Sequence, residues 1–525
     1  MPADPEKIML ELDDGTWHDL VHDHTDSWRL PDSETAVTFA ADGTITLFSP
    51  HRPVCRVRVD LPRAPQAETL FFGDTFERSY GDLQVHRFDD GQVYDWYLIE
   101  QNAAAQEAIG VAIQPQAFCA WTVSQTARTL WLDVRSGTKP VALGARALRC
   151  CQLVTQSYPA AQPLAAVLAD FCARLAGRAT LPAREAPLVG TNDWYFAYGA
   201  NYRQLIVENA RAMAALCQPF GYRPWVLIDD GWQVQHAADY NGGPWTGGNE
   251  KFGDMAEVAQ ELRALGTRPG LWFRPLVTRD SALAPFALHQ DGATLTLDPS
   301  RPEVLAQVAA DVQRFVSWGF ELIKFDFSAF DVLGRWGNTT GLDYFDRPCD
   351  FADRTHTTAE IFSQLYRTIK KAAGPALVMG CNTASQLSAG QLDVMRIGDD
   401  TSGVSFHRTV NRGVNTLAFR LAQEGSFYRI DADCVGITDA ISWAQNRQWL
   451  RLLAASNTTL FVSADLPGLS AEKKSALQEA IGEALRNETQ AVPADLRAGR
   501  TPEDWRTKSG DALHFDWNVD LSQPL

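Results

Sequence analysis

The chain has 525 residues, 45% of them hydrophobic and 21% charged, and carries a formal net charge of −17. That size calls for two or three domains of an ordinary globular protein, and the acidic excess excludes a nucleic-acid partner, which needs a basic face toward phosphate. No apolar run approaches the roughly 18 residues of a membrane span, the N-terminus lacks a basic and apolar leader, and an odd nine cysteines without a C-x-x-C pair read as reduced thiols, so no membrane partner and a cytoplasmic location are expected.

Residues 1–184 alternate short apolar runs with turn signals. The runs fall at 36–40, 44–48, 54–59, 92–99, 109–113 and 129–134, with Asp42-Gly43 and Asp90-Gly91 as hairpin turns. Short strands without helical periodicity predict an N-terminal β-sandwich. A helix over 163–175 and a linker over 177–187 follow. Residues 185–466 then change pattern: strand-like runs at 188–194, 225–232, 269–276, 321–327, 376–383, 394–400, 427–434 and 459–464 alternate with helical stretches at 204–217, 255–265, 303–318, 358–373, 412–423 and 440–455. Eight β/α repeats predict a (β/α)8 TIM barrel, and no G-x-G-x-x-G phosphate loop supports the open doubly wound sheet that is the alternative. The stretch 329–356 reads as a loop, and 467–525 as a short C-terminal region with a helix over 471–486 and strand-like pieces at 512–517.

A barrel places chemistry at the carboxyl ends of its strands. Those ends are unusually acidic here. The second run closes Ile228-Asp229-Asp230-Gly231-Trp232, the third Trp272-Phe273-Arg274, the fourth Lys324-Phe325-Asp326-Phe327, the sixth Arg396-Ile397-Gly398-Asp399-Asp400 and the seventh Asp431-Ala432-Asp433. A single Asp after a strand is usually a helix cap; four acidic clusters on one rim are too costly to bury unless they are paired or used. Lys324 and Asp326, two apart, share one strand face, and a lysine beside a carboxylate keeps it ionised, as a nucleophile requires. Asp326 with an Asp at 399 or 400 supplies the two carboxyl groups that glycoside hydrolysis needs. The like charges of Asp229 and Asp230 suit sugar hydroxyls; a divalent cation competes, but no His or third carboxylate is spaced to complete a site, so metal and cofactor are both expected to be none.

These motifs resemble glycoside hydrolase family 36, the melibiase-like α-galactosidases of clan D, and more distantly family 27. The resemblance runs over residues 60–470 and rests on Gly73-Asp74-Thr75-Phe76-Glu77-Arg78-Ser79-Tyr80-Gly81-Asp82-Leu83, Gly190-Thr191-Asn192-Asp193-Trp194, Ile228-Asp229-Asp230-Gly231-Trp232-Gln233, the Lys324-Phe325-Asp326 strand, Met379-Gly380-Cys381-Asn382 and Arg396-Ile397-Gly398-Asp399-Asp400. It implies Asp326 as nucleophile and Asp400 as general acid/base, with Asp399 standing where the family usually has a non-catalytic residue. It further implies that Asp229 and Asp230 hold the axial 4-hydroxyl and the 6-hydroxyl of galactose, that Lys324 and Arg396 bind hydroxyls, that Trp194, Trp232 and Trp272 wall the pocket, and that Cys381 and Asn382 lie on the fifth strand near the choice between a 2-hydroxyl and a 2-acetamido group. Asp431-Ala432-Asp433-Cys434 resembles a supporting segment. Arg274 departs from the family, many members of which are acidic there; it either shapes a subsite or pairs with a rim carboxylate.

The implied reaction is retaining, exo-acting double displacement on a terminal α-galactosyl residue of an oligosaccharide or glycoside, with the Asp400 pKa raised by a neighbouring carboxylate. The same chemistry on N-acetylgalactosamine or β-L-arabinopyranose, a transglycosidase, and a non-catalytic carbohydrate-binding relative are the rival readings. Family members are often homo-oligomers, which the resemblance extends to this chain.

Overall fold

The computed structural model describes residues 4–23, 26–64, 68–89, 91–177 and 187–517. Asp90 of the expected Asp90-Gly91 turn and nearly all of the expected linker lie outside them. The N-terminal part is a 14-stranded antiparallel sheet. Strands Lys7–Leu12 and Thr44–Phe48 alternate buried and half-exposed residues, the period-two pattern of a strand with one face on a core. What reads as a two-layered sandwich is one hydrogen-bonded path, because the long strand Ala147–Pro159 serves both halves. Its 153–159 segment pairs with Ala105–Val111, its 147–152 segment with Thr44–Phe48, and the register slips between Arg149 and Cys151. Strand Val93–Gln101 is buried along nearly its whole length, since the second domain covers its other face: Trp96 packs on Phe427 at 4.3 Å and Phe72 on Phe419 at 5.4 Å. Helix Leu164–Ala176 then leads toward the barrel.

The barrel strands, in chain order, are Val189–Asn192, Trp225–Ile228, Arg268–Phe273, Leu322–Phe325, Leu377–Gly380, Val394–Arg396, a seventh in two pieces, and Leu460–Ala464. They are parallel and nearly all buried, as strands sandwiched between a filled interior and a ring of helices must be. The seventh strand differs from the single run expected. Arg429–Asp431 pairs with the sixth strand, Val435–Ile437 pairs with the eighth, and between them Asp433 adopts φ 81°. Thr459 N–H donates to Ile430 O at 3.2 Å where the eighth strand meets the seventh. The expected loop 329–356 contains helix Ser328–Leu333, and the 412–423 helix begins earlier, at Phe406, with a π-turn over Val410–Val414. After the barrel come helix Ala471–Arg486 and a small three-stranded sheet. Among the described residues no helix is long and apolar enough to cross a membrane.

A segment of the first domain is built into the barrel. Ser79 forms a parallel bridge with Gly398: Ser79 N–H donates to Ile397 O at 3.0 Å and Asp399 N–H to Ser79 O at 2.8 Å. Arg420, fully buried, donates to Asp74 at 2.8 and 3.1 Å, to the carbonyls of Glu77 and Ile397, both at 2.8 Å, and to Ser385 Oγ at 2.8 Å. Buried Glu77 accepts from Gly337 N–H at 2.8 Å, from the Tyr80 hydroxyl and from the Asn382 amide. An ion pair so enclosed is stable only with its remaining polar atoms satisfied, and these are. The 74–82 loop is therefore held in place at the carboxyl ends of the fifth and sixth strands.

Candidate active site

A cavity of about 450 Å³ opens at the carboxyl ends of the barrel strands. Asp326 lies just past the fourth strand. Its Oδ1 accepts the Phe327 N–H at 2.7 Å and its Oδ2 the Trp272 indole N–H at 3.2 Å. Phe327 takes φ 59°, a region costly for a bulky residue, and this turn aims the Asp326 carboxylate into the cavity. Lys324 reaches Asp229 Oδ2 at 2.7 Å, and that oxygen also accepts the Asn192 amide at 2.7 Å. Burial works against the charge on Lys324, yet Asp229 foremost holds its pKa above the ordinary lysine value. The partner of Lys324 is thus Asp229, where the two-residue spacing pointed to Asp326.

Asp230 accepts from the Gln233 amide at 2.7 Å. Burial first, with Asp229 adding to it against the Gln233 hydrogen bond, pushes its pKa up to about 7. Asp193, beneath the pair, accepts the Asp229 N–H at 2.7 Å and is raised to about 7 by burial and by Asp229.

Asp400 stands in a cationic corner. Arg396 lies 3.0 Å from its Oδ1 and Arg78 3.5 Å. Burial raises its pKa, but Arg396, Arg78, Lys324 and Arg408 together overcome that and hold it below the ordinary carboxylate value. This corrects the expectation of a raised value: the decisive neighbours are guanidinium groups. Arg396 is itself anchored by Asp433, which also takes the Tyr195 hydroxyl and the Thr401 N–H at 2.7 Å.

Neither protein-family models nor curated proteins give a match to this chain. Solved structures do. The α-galactosidase TtGalA of Thermus thermophilus, in complex with p-nitrophenyl α-D-galactopyranoside, aligns with TM-score 0.61 at 18% identity over 97% of this chain and 99% of that one. A variant of the GH36 α-galactosidase AgaA of Geobacillus stearothermophilus, in complex with stachyose, gives 0.64 at 14% identity over 96% of this chain and 79% of that one. The galactosidase domain of the α-galactosidase-sucrose kinase AgaSK gives 0.63 at 15% identity over 100% and 82%. The fold is that of the GH36 α-galactosidases.

On this GH36 fold the cavity gathers Trp194, Asp229, Asp230, Trp272, Lys324, Asp326, Arg396, Asp399 and Asp400 of the residues expected from sequence. Four others stand elsewhere. Trp232 is fully buried, its ring 5.6 Å from Trp245 and 5.8 Å from Phe315: the strand ends at Ile228, and the turn that follows, with Gly231 at φ 120°, carries the side chain into the core. Asn382 is absorbed in structure: its amide donates to Glu77 and its Oδ1 accepts the Phe330 N–H at 2.8 Å. Cys381 is buried behind the wall, 3.8 Å from Arg78. Arg274 makes a two-point ion pair with Asp331 and covers the Phe327 ring at 4.4 Å, which is the rim pairing of the two roles left open for it.

The cavity also contains residues that strand-end reasoning passed over. Arg78 and Tyr80 arrive from the first domain, Trp336 and Asn338 from the loop after the fourth strand, Arg408 and Arg412 from the helix after the sixth, and Asn192, Tyr195 and Asn241 from around other strand ends, while Asp433, expected only as supporting structure, lines the cavity as well. The one signal for Arg78 and Tyr80 was the quoted 73–83 segment.

Proposed function

We propose that this protein is a retaining α-glycosidase that removes terminal α-D-galactosyl residues. The observation that carries the reading is the convergence of Asp326 and Asp400, from the fourth and sixth strands, on one cavity with the Asp229–Lys324 pair and Asp230 between aromatic walls. Asp326 attacks the anomeric carbon; its two short contacts, from Phe327 N–H and Trp272 Nε1, fix the carboxylate without consuming every lone pair. Asp400 gives a proton to the departing oxygen, and in the second step takes one from the water that releases the sugar with its configuration retained. Asp229, locked by Lys324 and Asn192, and Asp230 accept from ring hydroxyls. Arg396 orients Asp400. That the solved relatives are α-galactosidases supports the sugar assignment.

A panel of nitrophenyl glycosides (α-D-galactoside, α-N-acetyl-D-galactosaminide, β-L-arabinopyranoside and α-D-glucoside), assayed with and without chelator, tests this. Release from the α-galactoside, unaffected by chelator, is expected. Asp326→Ala then abolishes turnover. Asp400→Ala loses on the order of 10²–10⁴-fold on unactivated galactosides and far less in the first step on nitrophenyl substrates. Wild-type rates in both variants would refute the assignment.

A further inference from the structure

Three guanidinium groups of the cavity share one carboxylate. Arg78 approaches Asp399 at 3.3 Å, Arg408 at 3.5 Å and Arg412 at 3.6 Å. The fully buried Arg420, by contrast, meets its carboxylate, Asp74, at hydrogen-bond distance, 2.8 and 3.1 Å. Arg78 is 4% exposed, and its Nε has no partner; the buried Nε of Arg412 also lacks a hydrogen bond. The Arg78 guanidinium is stacked near Trp336 at 5.4 Å and Tyr80 at 5.8 Å, so it is held rigidly with donors unspent. Burying a cation as loosely paired as Arg78 is costly unless a ligand completes it; Arg408 and Arg412, part-exposed, stand beside it, with Arg412 also donating to the Tyr80 carbonyl.

The cluster adjoins Asp400, the group assigned to the leaving oxygen, and Arg408 donates to the Asp400 carbonyl at 2.8 Å. We propose that the leaving-group side of the cavity binds an anionic substituent, a carboxylate or a phosphate ester carried by the aglycone, through Arg78, Arg408 and Arg412. The inference deepens the glycosidase reading and rests on it for the orientation of the substrate. It also accounts for an acid set among cations. The incoming negative charge offsets the field of the arginines, so Asp400 regains its proton affinity when the proper substrate is bound.

The first measurement is calorimetric binding of glucose and of glucuronate to the full chain. Glucuronate is expected to bind on the order of 10- to 100-fold more tightly, the value of one or two charge-assisted hydrogen bonds. The preference falls with added salt, disappears in Arg408→Gln and Arg412→Gln, and survives in Arg408→Lys. Inorganic phosphate binding more tightly than glucuronate supports the anion and assigns it to a phosphate ester. Equal binding of glucose and glucuronate, or a preference indifferent to both Gln variants, overturns the proposal. The second measurement compares kcat/KM on a galactosyl-glucose disaccharide and on the same disaccharide with the glucose C6 oxidised to carboxylate. If neither is cleaved while the glucuronate preference holds, the galactosidase reading falls and the anion site stands. If both are cleaved equally and the binding preference is absent, the anion site falls and the galactosidase stands.

Discussion

Arg420→Met removes a buried cation that ties the first domain to the barrel. In the native structure Asp74 accepts from Arg420 at 2.8 and 3.1 Å and from Gln423 at 2.8 Å, and neither member of the ion pair has any side-chain exposure. The methionine fills similar volume but leaves the Asp74 charge with one amide, and takes one donor from each of the Glu77 and Ile397 carbonyls, which keep Ser385 Oγ and Ser79 N–H. Breaking a buried pair from one side costs about 3–5 kcal/mol. The assay is urea unfolding followed by tryptophan fluorescence, with the midpoint and slope of each variant. Arg420→Met is expected to lose at least that amount, and adding Asp74→Asn to recover part of it, since the uncompensated charge is then gone. The 74–82 loop should loosen with it, so kcat/KM falls at temperatures where the variant is still folded. A loss under about 1 kcal/mol, or a double variant no more stable than the single one, would refute the view that this charge pair clasps the domains.

Two further predictions concern the site. Trp232→Phe lowers the unfolding midpoint and leaves KM on an aryl galactoside unchanged, whereas Trp272→Phe, which removes the Asp326 hydrogen bond at 3.2 Å, lowers kcat with a smaller effect on stability; a raised KM in Trp232→Phe would return that ring to the pocket wall. For pH, Asp193 is raised to about 7 in the folded protein against about 3.9 unfolded. Its contribution to stability is therefore complete below pH about 4, is lost as pH rises toward 7, and stays lost above. Asp193→Asn, compared with wild type by thermal melting, should gain relative stability progressively across that window, and a difference flat with pH would show that Asp193 does not titrate there.

Much of the site was legible because the barrel turns a one-dimensional regularity into a three-dimensional one. Short apolar runs ending in Asp must bring those Asp residues to one rim, and Asp229, Asp230, Asp326, Asp399 and Asp400 are there. Three things escaped that logic. The resemblance puts Trp232 on the pocket wall, but the strand ends at Ile228 and the turn through Gly231 carries the ring into the core. Spacing places Lys324 beside Asp326 along the strand, but a lysine spans to the neighbouring strand, and the nearer uncompensated charge was Asp229. The seventh strand's Asp431-Ala432-Asp433-Cys434 gives no hint of a break, because the left-handed turn at Asp433 is stabilised by distant partners, Arg396, Tyr195 and Thr401. The cationic corner was invisible for the same reason: Arg78 and Asp399 are far apart in the chain, and only the docking of the first domain makes them neighbours.

That docking bears on how such a chain can be rebuilt. Since one wall of the cavity is a loop of the preceding domain, the barrel expressed by itself would have an open cleft and would lack both Arg78 and Tyr80. On the glycosidase reading proposed above, a chimera that keeps this barrel and takes its first 160 or so residues from another protein of the same architecture would alter the leaving-group side of the cavity while Asp326 and Asp400 stay where they are, making the N-terminal sheet a cassette for retargeting the cavity.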